Sequence, residues 1–333
     1  MCRPLTLSER SLAIGWHDVD RRPERPSAHK PPLDLSTKDH DDRKKDMVDR
    51  TSQTEYVNHD GGRIAYDVIG DGPLVVLSHG TADTRSTYRF LAPLIADSGY
   101  RVASVDLRGH GESSTGWHSY SHADTAGDLI QVIRKLGGPA VIVGQSFSGG
   151  ATTIAAATHP DLVSAIVEID PFTRPPKFSI AALLSNNHNY RRGALLLTRF
   201  ALTGSVKAWS KYLDMAYPGR KPADWDIYLR ALQANLREPG RIKAAQKMFR
   251  SSATQKVAGA RLADVRCPAL LVMGRNDSDF PNPEAEAKAI VGLLPAGLDR
   301  YEMIDDAGHY PHAQYPQQVA RAILPFLVER CRV

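Results

Sequence analysis

The chain has 333 residues, 42% hydrophobic and 24% charged, with a formal net charge of +5 at pH 7. That composition is globular and supplies enough apolar material for a sizeable core. No run approaches the ~18–20 apolar residues of a membrane-spanning helix, and Ser11–Trp16 is too short for the apolar core of a secretory signal. Cys2, Cys267 and Cys331 form no CxxC pair, and two lie near the termini. This argues against a disulfide framework or a zinc site and for a reducing, cytoplasmic setting.

Residues 1–50 contain PERPSAHKPPLDL and then KDHDDRKKD, proline and mixed charge with little to bury. Such a segment cannot offset its ordering entropy and is expected to be disordered. Met47, just before the first strand-like text, is a candidate alternative start.

From Thr54 the pattern changes. TEYVNHD and RIAYDVIG are strand-like runs joined at Gly61 and Gly62, a hairpin signal. Pro73–Gly80 is almost continuously apolar, as expected of a strand buried on both faces. Arg85–Asp97 reads as a helix. YRVASVDLRGHGES reads as a strand and a glycine loop, Asp124–Leu136 as a helix, PAVIVGQ as a strand, Phe147–Thr158 as a helix and Leu162–Phe172 as a strand. After a gap come CPALLVMGRND (strand), Pro283–Leu294 (helix), LDRYEMIDD (strand) and Pro316–Arg330 (helix). Alternating strands and helices predict a mostly parallel sheet covered on both faces. The gap carries apolar spacings of three to four, and a compact domain does not leave ~90 residues as plain loop. The expected organisation is therefore a core of residues 51–172 and 268–333, with a helical lid inserted over 173–267.

The stretch Gly144–Gly150, GQSFSGG, joins a strand-like to a helix-like segment. A serine in such a strand–G-x-S-x-G–helix turn is held in a strained conformation with its oxygen above the sheet edge. The next backbone N–H, that of Phe147, then points to where an oxyanion would form. Ser148 stands where the motif usually ends in glycine. Ser146 needs a histidine to take its proton and a carboxylate to orient that histidine. Downstream, Gly274–Asp277 (GRND) ends one strand and Ala307–His309 (AGH) follows the next. His79–Thr81 (HGT) and Asp106–Ser113 (DLRGHGES) end two earlier strands.

HGT, DLRGHGES, GQSFSGG, GRND and AGH, in this order and on these elements, resemble the α/β-hydrolase superfamily over about residues 54–330. The resemblance implies a Ser146–His309–Asp277 triad, an oxyanion hole from the N–H groups of Thr81 and Phe147, and no metal or organic cofactor. Asp279 and Asp170 remain alternative acids, and His312 an alternative base. His79 is expected to organise its loop, and Asp106 and Arg108 to pin the glycine loop. His110, His118 and His122 have no motif support. Serine at 146 differs from the aspartate that epoxide hydrolases and haloalkane dehalogenases carry there. It fits esterases, thioesterases, C–C bond hydrolases, cofactor-free perhydrolases and aminopeptidases. The expected function is cleavage of an ester, thioester or related acyl bond through an acyl-enzyme. The competing class is a lidded small-molecule receptor with little turnover.

Residues 173–267 carry 18 Lys and Arg against 5 Asp and Glu, a charge of +13 that the modest total conceals. Two consequences stay open. The basic lid could be held by the acidic core, or it could draw an anion: a carboxylate- or phosphate-bearing acyl substrate, an acidic carrier protein or an acidic membrane surface. No nucleic-acid recognition motif accompanies the charge. Phe178, Phe200, Trp209, Tyr212, Met215, Tyr217, Trp225, Tyr228 and Phe249 are expected to pack the lid and wall an apolar pocket above Ser146.

Overall fold

The computed structural model describes residues 53–174, 187–252 and 256–330. The expectation for residues 1–50, and that for Phe178, lie outside them. Eight strands form one sheet: β1 (Glu55–His59), β2 (Gly62–Ile69), β3 (Leu74–Ser78), β4 (Arg101–Val105), β5 (Ala140–Gln145), β6 (Val163–Ile169), β7 (Ala269–Gly274) and β8 (Asp299–Ile304). Their spatial order is β1-β2-β4-β3-β5-β6-β7-β8. β2 runs antiparallel to both of its neighbours, and all other pairs are parallel.

Side-chain alternation splits the core across the sheet. Val75, Leu77, Val141 and Val143 face α1 (Leu91–Ala96) and the C-terminal helix Pro316–Arg330. Leu74, Val76, Ala140 and Ile142 face α2 (His122–Lys135) and α3 (Phe147–Thr158). The helices do cover both faces, as the alternating pattern predicts.

Two boundaries differ from the sequence expectation. The hairpin turn is centred on Asp60 and Gly61, both at positive φ (51° and 77°), the geometry a tight primed turn requires. Gly62 already belongs to β2, where a Cβ would run into the Trp117 ring. The expected helix over residues 85–97 is split into a 3-10 turn, Arg85–Tyr88, and α1. Pro93 lies in the first turn of α1, where the N–H it lacks has no intrahelical acceptor anyway.

Between β6 and β7 the described chain is helical: α4 (His188–Thr203), α5 (Val206–Ala216), α6 (Trp225–Arg237), α7 (Arg241–Ser252) and α8 (Lys256–Arg261). Asn187 and Ser205 cap α4 and α5 through their side-chain oxygens. Phe200, Trp209, Tyr212, Leu213, Tyr217 and Tyr228 form a separate apolar cluster with Ala82, Tyr310 and Ala313 of the sheet loops. Three further helices complete the core: α9 (Pro283–Val291), α10 (Pro311–Gln314) and α11 (Pro316–Arg330). None of the described helices is long and apolar enough to cross a membrane.

Candidate active site

The sheet order brings the candidate residues together. β5, β6, β7 and β8 are consecutive neighbours, and Ser146, Asp170, Asp277 and His309 all follow their carboxyl ends. β3 lies on the other side of β5, so the HGT loop borders the same edge.

Ser146 has φ 55° and ψ −118° at the N-cap of α3, a conformation that L-residues rarely adopt. The glycines around it permit the turn. A Cβ on Gly144 would meet Thr152 and Ser148, one on Gly149 would meet Pro171, and one on Gly150 would meet His122. Ser148 is more than a small replacement for glycine. Its hydroxyl donates to the His79 carbonyl at 2.5 Å and lies 2.8 Å from Ser78 Oγ. It therefore ties the serine turn to the end of β3.

Ser146 Oγ is 2.9 Å from His309 Nε2, and His309 Nδ1 is 2.8 Å from Asp277 Oδ2. The other Asp277 oxygen accepts the Asp279 N–H at 2.8 Å. His309 is anchored through its backbone: its carbonyl accepts from Gln145 Nε2 at 3.0 Å and its N–H donates to Ala216 O, at the end of α5, at 3.0 Å. Burial alone would lower the His309 pKa, but the carboxylates of Asp277 and Asp279 outweigh it and raise it to about 9.

The three candidate acids occupy different places. Asp277 meets Nδ1. Asp279 lies on the opposite side, its Oδ2 3.6 Å from Nε2 and accepting the Tyr212 hydroxyl at 2.7 Å. Asp170, at positive φ (44°), accepts the Gly274 N–H at 2.9 Å. Burial, then the charge of Asp277, pushes its pKa well above the usual carboxylate range. Asp170, Asp277 and His309 each bring a potential ligand atom within 4.8 Å of the others. Both nitrogens of His309 are already engaged, by Asp277 and Ser146.

The loop beside Ser146 is held by two neutral histidines. His79 donates from Nδ1 to Gly80 O (2.7 Å) and accepts the Leu107 N–H at Nε2 (3.1 Å). His110 donates from Nδ1 to Arg108 O (2.9 Å) and accepts the Ala82 N–H at Nε2 (3.0 Å). Burial lowers both pKa values to about 3, so each ring keeps one donor and one acceptor across the working pH range. Ala82 itself sits at φ 56°. Gly80 passes so close that a Cβ would lie 2.8 Å from Ser146 Cβ.

Asp106 and Arg108 pin the glycine loop. Asp106 accepts the backbone N–H groups of Arg85 and Glu112 (2.7 and 2.9 Å) and pairs with the Arg85 guanidinium. Arg108 forks onto Asp128 at 2.7 and 2.8 Å. His312 does not touch Ser146: its Nε2 meets Thr87 Oγ1 at 3.0 Å and its ring packs on Tyr88. His122 stacks on the Phe147 ring at 4.0 Å, and His118 is exposed.

The site is covered from above. Tyr217 stacks on Tyr310 at 4.8 Å, next to His309. Tyr228 donates to the buried Asp83, two residues after Thr81. Arg89 forks onto Asp224 with two 2.6 Å contacts and lies 4.3 Å from the Tyr228 ring centre. Ser146 retains 7% of its accessible surface and His309 1%. The basic side chains Arg191, Arg192, Arg199, Lys207 and Lys211 of α4 and α5 are exposed.

A profile of the alpha/beta hydrolase family matches residues 75–322. The chain is 31% identical over 277 residues to 2-(acetamidomethylene)succinate hydrolase from Mesorhizobium japonicum, covering 80% of this chain and 93% of that protein. It is 35% identical over 300 residues to an epoxide hydrolase from Caballeronia sordidicola, covering 78% and 88%. A thermophilic esterase from Thermogutta terrifontis superposes with a TM-score of 0.65 at 23% identity, over 84% of this chain and 99% of that one. The last likeness carries the fold alone.

Proposed function

The chain belongs to the alpha/beta hydrolase family, and on that premise we propose that it is a serine hydrolase of acyl bonds working through a covalent acyl-enzyme. The observation that carries this reading is the continuous contact Ser146 Oγ–His309 Nε2, His309 Nδ1–Asp277 Oδ2, with both distances under 3 Å. His309 takes the Ser146 proton as Oγ attacks the carbonyl, and Asp277 fixes the tautomer and stabilises the imidazolium. The oxyanion is held by the N–H groups of Phe147 and Thr81. Phe147 is the first residue of α3, so its N–H has no intrahelical acceptor. In the HGT loop the Ala82 N–H is committed to His110, which supports Thr81 as the second donor. His309 returns its proton to the leaving group and then activates the water that frees the acyl chain.

Epoxide opening through an enzyme carboxylate, the chemistry expected where aspartate stands at the elbow, is not supported here because residue 146 is serine. Residues 173–267 act in this reading as a cap that excludes water and must shift to admit substrate, since Ser146 is buried. Quenched intact-mass spectra after mixing with p-nitrophenyl acetate test the proposal. One acetyl adduct should form in the wild type and none in Ser146→Ala. Lid-borne ligand responses without any adduct or turnover would favour a receptor instead.

A further inference from the structure

We propose that Asp279, held by Tyr212, forms the leaving-group subsite and directs this enzyme to acyl–nitrogen bonds, its carboxylate accepting the N–H of the departing nitrogen. The inference rests on the serine-hydrolase reading above and deepens it.

Two carboxyl groups only two residues apart take opposite sides of one imidazole. Asp277 meets Nδ1 at 2.8 Å, which already satisfies the need to orient the ring. Asp279 Oδ2 is 3.6 Å from Nε2, the nitrogen that also meets Ser146 Oγ at 2.9 Å. In acyl transfer Nε2 first receives the serine proton and then delivers it to the departing atom. That atom must therefore sit beside Nε2, and Asp279 Oδ2 flanks the position. Its fixed partner there is the Tyr212 hydroxyl, at 2.7 Å, from α5 of the inserted helices. The Asp279 side chain is 2% exposed and Tyr212 1%. A carboxylate so placed is costly to bury and adds little to ring orientation. Burial raises its pKa only to about 6, so it is an acceptor at neutral pH.

An ester oxygen brings only lone pairs to this spot and meets a repelling carboxylate. A departing amide nitrogen is different. When the tetrahedral intermediate forms, the nitrogen becomes pyramidal, its lone pair turns to the imidazolium N–H, and its own hydrogen turns aside. An acceptor beside Nε2 stabilises that geometry only when the leaving atom carries hydrogen. The step balances: Ser146 Oγ bonds to the acyl carbon and its proton passes to Nε2. The C–N bond breaks with its electron pair on nitrogen, and nitrogen takes the Nε2 proton to leave as a neutral amine. Water then adds to the acyl carbon, its proton passes through Nε2 to Ser146 Oγ, and the acid departs.

The test compares p-nitrophenyl butyrate with butyryl-p-nitroanilide, which share an acyl group and differ at the leaving atom. Wild type, Asp279→Ala, Asp279→Asn and Tyr212→Phe are assayed alongside phosphonate labelling and melting temperature. The wild type should turn over both substrates. The anilide-to-ester ratio of kcat/KM should fall at least about tenfold in Asp279→Ala, less in Asp279→Asn and by a few-fold in Tyr212→Phe. Ester turnover without anilide turnover in the wild type overturns the proposal, and so does an unchanged ratio in Asp279→Ala. Should Asp279→Ala fail to fold, the wild-type ratio and Tyr212→Phe decide. A wild type that takes neither the phosphonate nor either substrate overturns the nucleophile assignment itself, and the subsite with it.

Discussion

The loops at the carboxyl edge of the sheet and the helices that cover them meet over Ser146, yet they are held by different physics. The loop residues sit in backbone conformations that tolerate little variation. Ser146, Asp170 and Ala82 all have positive φ; hydrogen bonds tie Ser146 and Asp170 to the ends of β6 and β7, and the Ala82 N–H donates to the His110 ring in the glycine loop. The covering helices reach the site mostly through side chains, with one backbone bond from the His309 N–H to Ala216 O at the end of α5. The Tyr217–Tyr310 stack, the Tyr228–Asp83 bond and the Arg89–Asp224 pair cross the seam. Rigid loops suit proton transfer, where a misplacement of 1 Å costs orders of magnitude. An aromatic seam on amphipathic helices can shift as a unit and still exclude water. In the proposed mechanism the chemistry falls to the loops, access falls to the cover, and selectivity falls where the two meet, at Asp279 and Tyr212.

The largest effects should come from the loops. Ser146→Ala should cut ester turnover by about 10⁴–10⁶ while leaving the melting temperature near that of the wild type. Asp277→Asn should cost ~10⁴, because it presents the wrong tautomer to Ser146. On esters Asp279→Asn should cost far less. The reverse ranking, read from kcat/KM, would move the orienting role to Asp279.

The pH profile sharpens the comparison at one ring. His309 must be neutral to accept the serine proton, and its pKa is raised to about 9 by carboxylates that outweigh burial. Rates at saturating probe should therefore rise about tenfold per pH unit and level near pH 9. Replacing Asp279 by Asn removes one of the two raising charges and should move the midpoint to lower pH. A folded-state pKa above the ordinary 6.5 also favours the folded chain below that value, a contribution lost as pH rises through about 9.

A smaller effect tests the link between elbow and loop. Ser148→Ala leaves the His79 carbonyl without its 2.5 Å donor, and kcat should fall about tenfold with little change in KM. The smallest effect concerns the charge of the cover. Its basic side chains Arg191, Arg192, Arg199, Lys207 and Lys211 are exposed, so any attraction for a carboxylate-bearing ester acts over solvent. Raising salt to about 0.5 M should slow that ester by a few-fold and a neutral ester hardly at all. Equal responses would leave the charge without a role in binding.

Much of the loop region is legible in the sequence, because its signals are local. A strand, a glycine-bounded serine and a small-residue helix follow one another without a gap from Ala140 to Thr158. The order Ser146, Asp277, His309 follows strands whose rhythm is easy to read. Asp277 and Asp279 could not be told apart by spacing. Two residues along a turn, the chain reverses the side on which each carboxyl meets the ring, and only the turn's dihedral angles decide it. His110, Ser148 and Gln145 escape sequence reading for another reason. Their partners Ala82, His79 and His309 lie 28, 69 and 164 residues away in the chain. The cover is legible only as amphipathic helices: periodicity marks which face of α5 is apolar, but not that Tyr212 meets Asp279. The alternating apolar runs likewise predict the sheet.

The central claim is that Ser146 is an activated nucleophile held by the loops. Incubation of the full chain with a fluorophosphonate, followed by proteolysis and peptide mapping, tests it most directly. The account predicts a single stoichiometric adduct on the peptide containing Ser146, lost in Ser146→Ala and strongly slowed in His309→Ala. Labelling that persists in Ser146→Ala, or that maps to another residue, would contradict it.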